Sequence, residues 1–93
     1  DKMAAKLISL LELLGEKGTL LREPYSKSLG DGIFELRCGI GNNITRALYF
    51  FHKGKVIVVT NGFVKKTQKT PPAEIELAKK RRADWLSRYG NHK

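Results

Sequence analysis

Two very short connectors constrain this chain more than any other feature of its sequence. Residues 32–38, 44–52 and 55–65 are runs rich in β-branched and aromatic side chains. Only Lys53-Gly54 separates the second from the third, and a loop around Gly41-Asn42 separates the first from the second. Strands joined so closely cannot lie parallel, because a parallel crossover needs a dozen or more residues. Short loops containing glycine between such runs predict hairpins. The centre of the chain is therefore expected to be an antiparallel sheet.

Helical patterns flank it. Met3, Leu7, Ile8, Leu10, Leu11 and Leu14 recur at helical spacing and predict an amphipathic helix over residues 2–14, with Asp1 as its cap. Gly15 and Gly18 are expected to end it. Residues 19–32 read as a connector, with Pro24 and Leu29-Gly30-Asp31-Gly32 as turn signals. Pro71-Pro72, with Thr70 as a cap, open a second helix that runs to about Tyr89. Its apolar side is Ile75, Ala78, Trp85 and Tyr89, and Glu76–Lys80 and Asp84–Arg88 form i,i+4 pairs. No repeat or linker interrupts the pattern, so residues 1–93 are expected to be one α+β domain.

Composition narrows the class. A single Cys38 excludes an internal disulfide and any cysteine-based zinc cage, and it suggests a reducing compartment such as the cytoplasm. No segment reaches the ~18 uninterrupted apolar residues of a membrane span. The net charge is +9, unevenly distributed. Between Glu35 and Glu74 there is no carboxylate at all. A field of one sign suits nucleic acid, an anionic membrane or an acidic protein partner, although many small proteins are simply basic.

The hairpins also assign faces. A two-residue turn at Lys53-Gly54 sets Arg46 opposite Asn61 and Ile44 opposite Phe63. A symmetric loop at Gly41-Asn42 sets Arg37 opposite Arg46. Directly opposed residues share a face, as do residues two apart on one strand. One face therefore gathers Arg37, Arg46, Asn61, Phe63 and Lys65 at one end of the sheet, with Ile33, Leu48, Phe50 and Ile57 at the other. Phe34, Leu36, Tyr49, Phe51, Val56 and Val58 fall on the opposite face. Helices are expected to cover most of both and to leave the basic end open. Like charges directly opposed are destabilising. Two facing arginines make sense if an anion sits between them, or if Glu35 neutralises Arg37.

Those residues limit the chemistry. His52 lies six residues along the strand from Arg46, roughly 20 Å at ~3.3 Å per residue. His92 falls in the C-terminal tail. No HxH, CxxC, DxD or GxSxG pattern occurs, so nothing calls for a metal or another cofactor. Arginine, lysine and an aromatic ring are still enough to cleave RNA, whose ribose 2′-hydroxyl is an internal nucleophile beside its phosphate. The protein need only orient the sugar, neutralise the crowded phosphorane and assist proton movement. Phosphate binding without cleavage requires the same residues.

The blocks "LGDGIFELRCGIGNNITRALYFF" and "KVIVVTNGFVKKTQKTPPAEIELAKKRR", and their order, resemble the RelE/ParE toxin superfamily. The likeness is to the HigB-like, phage-derived branch of type II toxin–antitoxin systems, and it spans roughly residues 3–88. It implies a RelE-like fold, a twisted antiparallel sheet packed with an N-terminal and a C-terminal helix. It implies a ribosome-dependent, metal-independent mRNA endoribonuclease, neutralised by a HigA-like helix-turn-helix antitoxin. By the same resemblance Arg37, Arg46, Lys65 and Lys66 would act on the scissile phosphate. The resemblance places its aromatic element on Phe63, and Phe63, Asn61, Lys69, Lys79 and Arg82 are the candidate RNA contacts of this sequence. Family members usually begin with a strand and a short helix ahead of the segment matching residues 2–14. Both are missing from this sequence, so either the N-terminus has been removed or this is a shortened member, and the sheet is expected to be one strand short. Some relatives poison DNA gyrase instead of cutting mRNA, and a non-catalytic RNA-binding module is a third reading.

Overall fold

Side chains branched at Cβ and aromatic rings fit a pleated, half-buried surface better than a helix. In the computed structural model they form β2 (Ile33–Ile40), β3 (Asn43–His52) and β4 (Val56–Val64). With β1 (Ser26–Gly30) these make one antiparallel sheet in the order β1-β2-β3-β4. The structure describes residues 2–21, 25–40, 43–53, 56–64 and 69–90. Asp1, Pro24, Gly41, Asn42, Gly54, Lys55, Lys65, Lys66 and His92, together with the side chain of Met3, lie outside the described residues.

The first strand corrects an expectation, because residues 26–30 read as connector. Their Ser, Lys and Gly content carries little strand preference. The turn supplies what propensity does not. Gly30 pairs with Ile33, so the loop is Asp31-Gly32, with φ of 55° and 77°. Two successive residues at positive φ match the twist of a two-residue hairpin, and Asp-Gly is among its preferred sequences.

Helix α1 (Lys2–Lys17) runs through Gly15 and stops where Gly18 adopts a φ of 56°. Leu10 and Leu14 are buried against Leu36, Cys38, Ala47 and Tyr49, with Leu7, Leu11 and Leu13 packed beside them. Ile8, expected on this side, is 56% exposed. Helix α2 (Pro72–Trp85) continues into a wider turn at Leu86–Gly90. Ala78, Trp85 and Leu86 pack on Ile33, Leu48 and Phe50. Because alternate strand residues point to opposite faces, the two helices cover opposite sides of the sheet. Each large apolar side chain fully buried in these clusters contributes about 1.5–3 kcal/mol.

The β2–β3 register is as expected, with Arg37 opposite Arg46 and Ile40 opposite Asn43. The β3–β4 register differs at two places. His52 pairs with Val56, so three residues separate the strands rather than two. A bulge follows: Tyr49 pairs with Val59 but Leu48 with Asn61, leaving Thr60 as an extra residue. The Thr60 hydroxyl lies 3.2 Å from the Leu48 carbonyl and 2.6 Å from Asn61 Oδ1. Arg81 Nη1 donates to the Thr60 carbonyl at 2.7 Å. Each slip of one residue turns the following side chains to the other face. Between turn and bulge Ile57 therefore joins Phe34, Tyr49 and Phe51, while Val58 joins Ile33 and Phe50. Val56, expected on a packed face, is 49% exposed. Beyond the bulge the two slips add up to two residues. Asn61 and Phe63 return to the face of Arg46, but Arg46 stands opposite Phe63 rather than Asn61.

Candidate nucleic-acid interface

Strand alternation sends Glu35 and Arg37 to the same side of β2, and pairing brings Arg46 to it from β3. Glu35 is fully buried. Its Oε1 takes a hydrogen bond from Arg37 Nε at 3.4 Å and lies 3.8 Å from Arg46 Nε. Its Oε2 accepts the Thr70 hydroxyl. Thr70 was expected to cap α2. Instead Pro71 takes the N-cap position without a side-chain bond, and the Thr70 hydroxyl serves the carboxylate.

Glu35 thus compensates the two facing arginines, but one carboxylate is shared between two guanidinium groups. Both approach it through Nε. The terminal Nη groups, the planar fork that matches a phosphate, find no hydrogen-bond acceptor among the described residues. Arg46 is 7% exposed, and its buried Nε has no hydrogen-bond partner. Burial pushes the Arg46 pKa down, the Glu35 charge pulls it up, and Arg37 pushes it down again. The guanidinium stays charged at any ordinary pH. The expected open basic end is therefore partly closed: Arg46 lies deep, and Arg37 is the more accessible of the two.

Phe63 is half-buried and packs against the Ile33–Leu48–Phe50 cluster. Asn61 is buried, with Nδ2 donating to the Glu74 carboxylate at 3.0 Å and to the Glu74 carbonyl at 3.3 Å. Its amide ties β4 to the first turn of α2. Lys69 is exposed beside Thr70. Lys65 and Lys66 lie outside the described residues. Lys79 and Arg82 stand away from the arginine pair, at the β1–β2 turn. Arg82 Nη2 lies 3.2 Å from Asp31 Oδ2, its Nη1 donates to the Asp31 carbonyl, and Lys79 Nζ is 3.8 Å from Asp31 Oδ2. The expected Glu76–Lys80 pair is replaced by Glu76–Lys79 at 3.9 Å, while Asp84–Arg88 forms at 3.4 Å. His52 stacks edge-on against Trp85 with ring centres 4.9 Å apart.

Two residues that sequence reasoning passed over border the arginines. An open cleft of about 350 Å³ is lined by Lys6, Leu10, Tyr25, Arg37, Ile44 and Arg46. Lys6 comes from α1, and its ammonium donates to the Gly39 carbonyl. Tyr25 immediately precedes β1, and its carbonyl accepts the Arg37 N–H at 2.9 Å. The only available signal was the β1–β2 hairpin, which sets Tyr25 beside Arg37 once Asp31-Gly32 is read as its turn.

The model of the family described as "Phage derived protein Gp49-like" matches residues 1–83. The chain belongs to this family. Its members are of the RelE-like toxin type, in keeping with the four-stranded antiparallel sheet and flanking helices. No curated protein matches the chain. Among the described residues no group of His, Cys, Asp and Glu is placed to hold a metal, and no helix is long and apolar enough to cross a membrane.

Proposed function

We propose that this Gp49-like protein is the HigB-like toxin of a type II toxin–antitoxin system and cleaves mRNA on the ribosome. One observation carries the reading. Two facing arginines share a single buried carboxylate through Nε, so a unit of positive charge and the terminal Nη groups remain for an anion. A phosphodiester supplies that anion. The chemistry needs no group beyond arginine and lysine. The ribose 2′-hydroxyl loses its proton and attacks the adjacent phosphorus, and the bond to the 5′-oxygen breaks as that oxygen gains a proton. The products are a 2′,3′-cyclic phosphate and a 5′-hydroxyl. Arg46 and Arg37 would neutralise the phosphorane. Glu35 acts as a positioning residue that holds both guanidinium groups in place. Lys65 and Lys66 follow Phe63-Val64 in the sequence and would add positive charge beside the phosphate.

The ribosome would hold mRNA in geometry for in-line attack, so naked RNA should be cut negligibly. A HigA-like antitoxin would present acidic side chains to a chain of net charge +9.

The test is induced expression in bacteria with mapping of RNA 5′ ends, wild type beside Arg46→Lys. Codon-phased breaks in mRNA that vanish in Arg46→Lys are expected, since a point ammonium cannot reproduce the bidentate fork. Intact mRNA with a DNA-damage response would replace this reading with gyrase poisoning. Robust cutting of free RNA without ribosomes would overturn the ribosome dependence.

A further inference from the structure

Phe63 was the aromatic expected to meet a base, yet its ring is committed to the core beneath α2. Another ring stands beside the arginines in the open. Tyr25 is 47% exposed, and its backbone is anchored opposite Arg37 by the hydrogen bond that extends the β1–β2 ladder. It shares the cleft with Lys6, Arg37, Arg46 and the exposed edge of Ile44. Among the described residues no carboxylate lines this cleft. Lys6 donates to one backbone carbonyl, and an ammonium has three donors. Arg46, more than nine-tenths buried, lines the cleft with its Nε lacking an acceptor. The volume of about 350 Å³ falls within the range of small-ligand clefts, ~300–1,000 Å³.

We infer that this cleft is a subsite for one nucleotide of single-stranded RNA, with its base stacked on Tyr25 and its phosphate held by Lys6 and Arg37. The subsite deepens the RNA-cleaving reading and rests on it. Ile44 supplies an apolar wall beside the base. Stacking accepts any base, because every base has a π face, so Tyr25 supplies grip and the paired arginines supply the chemistry. Lys6 and Leu10 of α1 meet Tyr25, Arg37, Ile44 and Arg46 at this end of the sheet, so the strand is bound across that end.

The experiment is fluorescence anisotropy of the full chain with a short labelled RNA carrying 2′-O-methyl groups, which cannot be cut. Polyphosphate serves as a competitor without bases. Tyr25→Ala should weaken RNA binding roughly 5- to 150-fold, the range of one lost stack, with polyphosphate binding unchanged. Tyr25→Phe should bind RNA like the wild type. Lys6→Gln should weaken both ligands and reduce the RNA salt slope by about 0.7. Circular dichroism of each variant checks the fold. Equal loss of polyphosphate binding in Tyr25→Ala would overturn the stacking role. Unchanged RNA affinity in Tyr25→Ala would overturn the subsite, even in a protein that still cuts transcripts. Intact transcripts in induced cells, with the Tyr25 effect on binding present, would overturn cleavage and leave the subsite standing.

Discussion

Arg46 faces Arg37 directly across the β2–β3 ladder, and the Glu35 carboxylate lies within 4 Å of both. Without that carboxylate, two like charges would oppose each other on a packed face. With it, the pair is stable yet still carries excess positive charge. The same three residues therefore bear on the stability of the sheet and, in the proposed function, on the phosphate it would take.

Removing the carboxylate charge should cost more than removing either arginine. Glu35→Gln is expected to lower stability by about 3–5 kcal/mol, the range found when one partner of a buried ion pair is lost. Adding Arg46→Gln should recover part of this, because one of the two uncompensated charges goes with it. Urea unfolding of the single and double variants measures the coupling. Additive losses would show that Glu35 does not serve Arg46.

The β3–β4 turn offers a control far from the arginines. Lys53 adopts a φ of 55°, which favours glycine. Lys53→Gly should raise stability by about 0.5–1 kcal/mol, because the left-handed conformation penalises a side chain. Growth arrest on induction should be unchanged. A thermal melt and an induction curve check the two halves separately.

Buried Tyr49 supplies a pH dependence. Its hydroxyl is hydrogen-bonded to that of Ser26, and burial raises its pKa while this bond lowers it by less. The folded state therefore keeps its proton longer than the unfolded chain. That contribution is fully present below the unfolded value near 10 and is lost as pH rises through the folded value. Unfolding free energy measured from neutral pH upward should fall above pH ~10, and Tyr49→Phe should flatten the fall. At neutral pH the same substitution should cost about 1 kcal/mol for the lost hydrogen bond.

Arg82 is predicted to act on the fold rather than on RNA. Its guanidinium donates to the Asp31 side chain and carbonyl, and Gly32 leaves only 3.2 Å between a would-be Cβ and Arg82 Nη1. Arg82→Gln should cost less than ~1 kcal/mol, as for a pair open to solvent. It should leave the salt slope of RNA binding unaltered, whereas Arg37→Gln should reduce that slope by about 0.7.

Much of this architecture was legible from spacing. The loop at Gly41-Asn42 was enough to set Arg37 against Arg46, and helical periodicity was enough to place Leu10 and Leu14 in the core. Strand β1 was not, because Ser26, Lys27 and Ser28 have no strand preference and the Asp31-Gly32 hairpin carries the pairing. The site was half legible. Glu35 could be placed on the face of Arg37 by alternation, but sharing it between two arginines depends on burial, which spacing does not encode. Thr70 looked like a helix cap because threonine before proline usually is one, and the pull of a buried carboxylate won instead. Lys6 reaches the cleft through tertiary packing, and Tyr25 through the β1–β2 hairpin.

The extra residue at the turn and the extra residue at Thr60 cancel in their effect on Arg46 and Phe63. Length between His52 and Asn61 is therefore governed by parity. Deleting a single residue there would swing Phe63 to the face of α1 and Val64 to that of α2, taking Phe63 away from Arg46. Deleting two, one from each place, would leave that end of the sheet as it is. Insertions and deletions in this hairpin should be tolerated in even steps, so its evolutionary drift in length is quantised by the pleat.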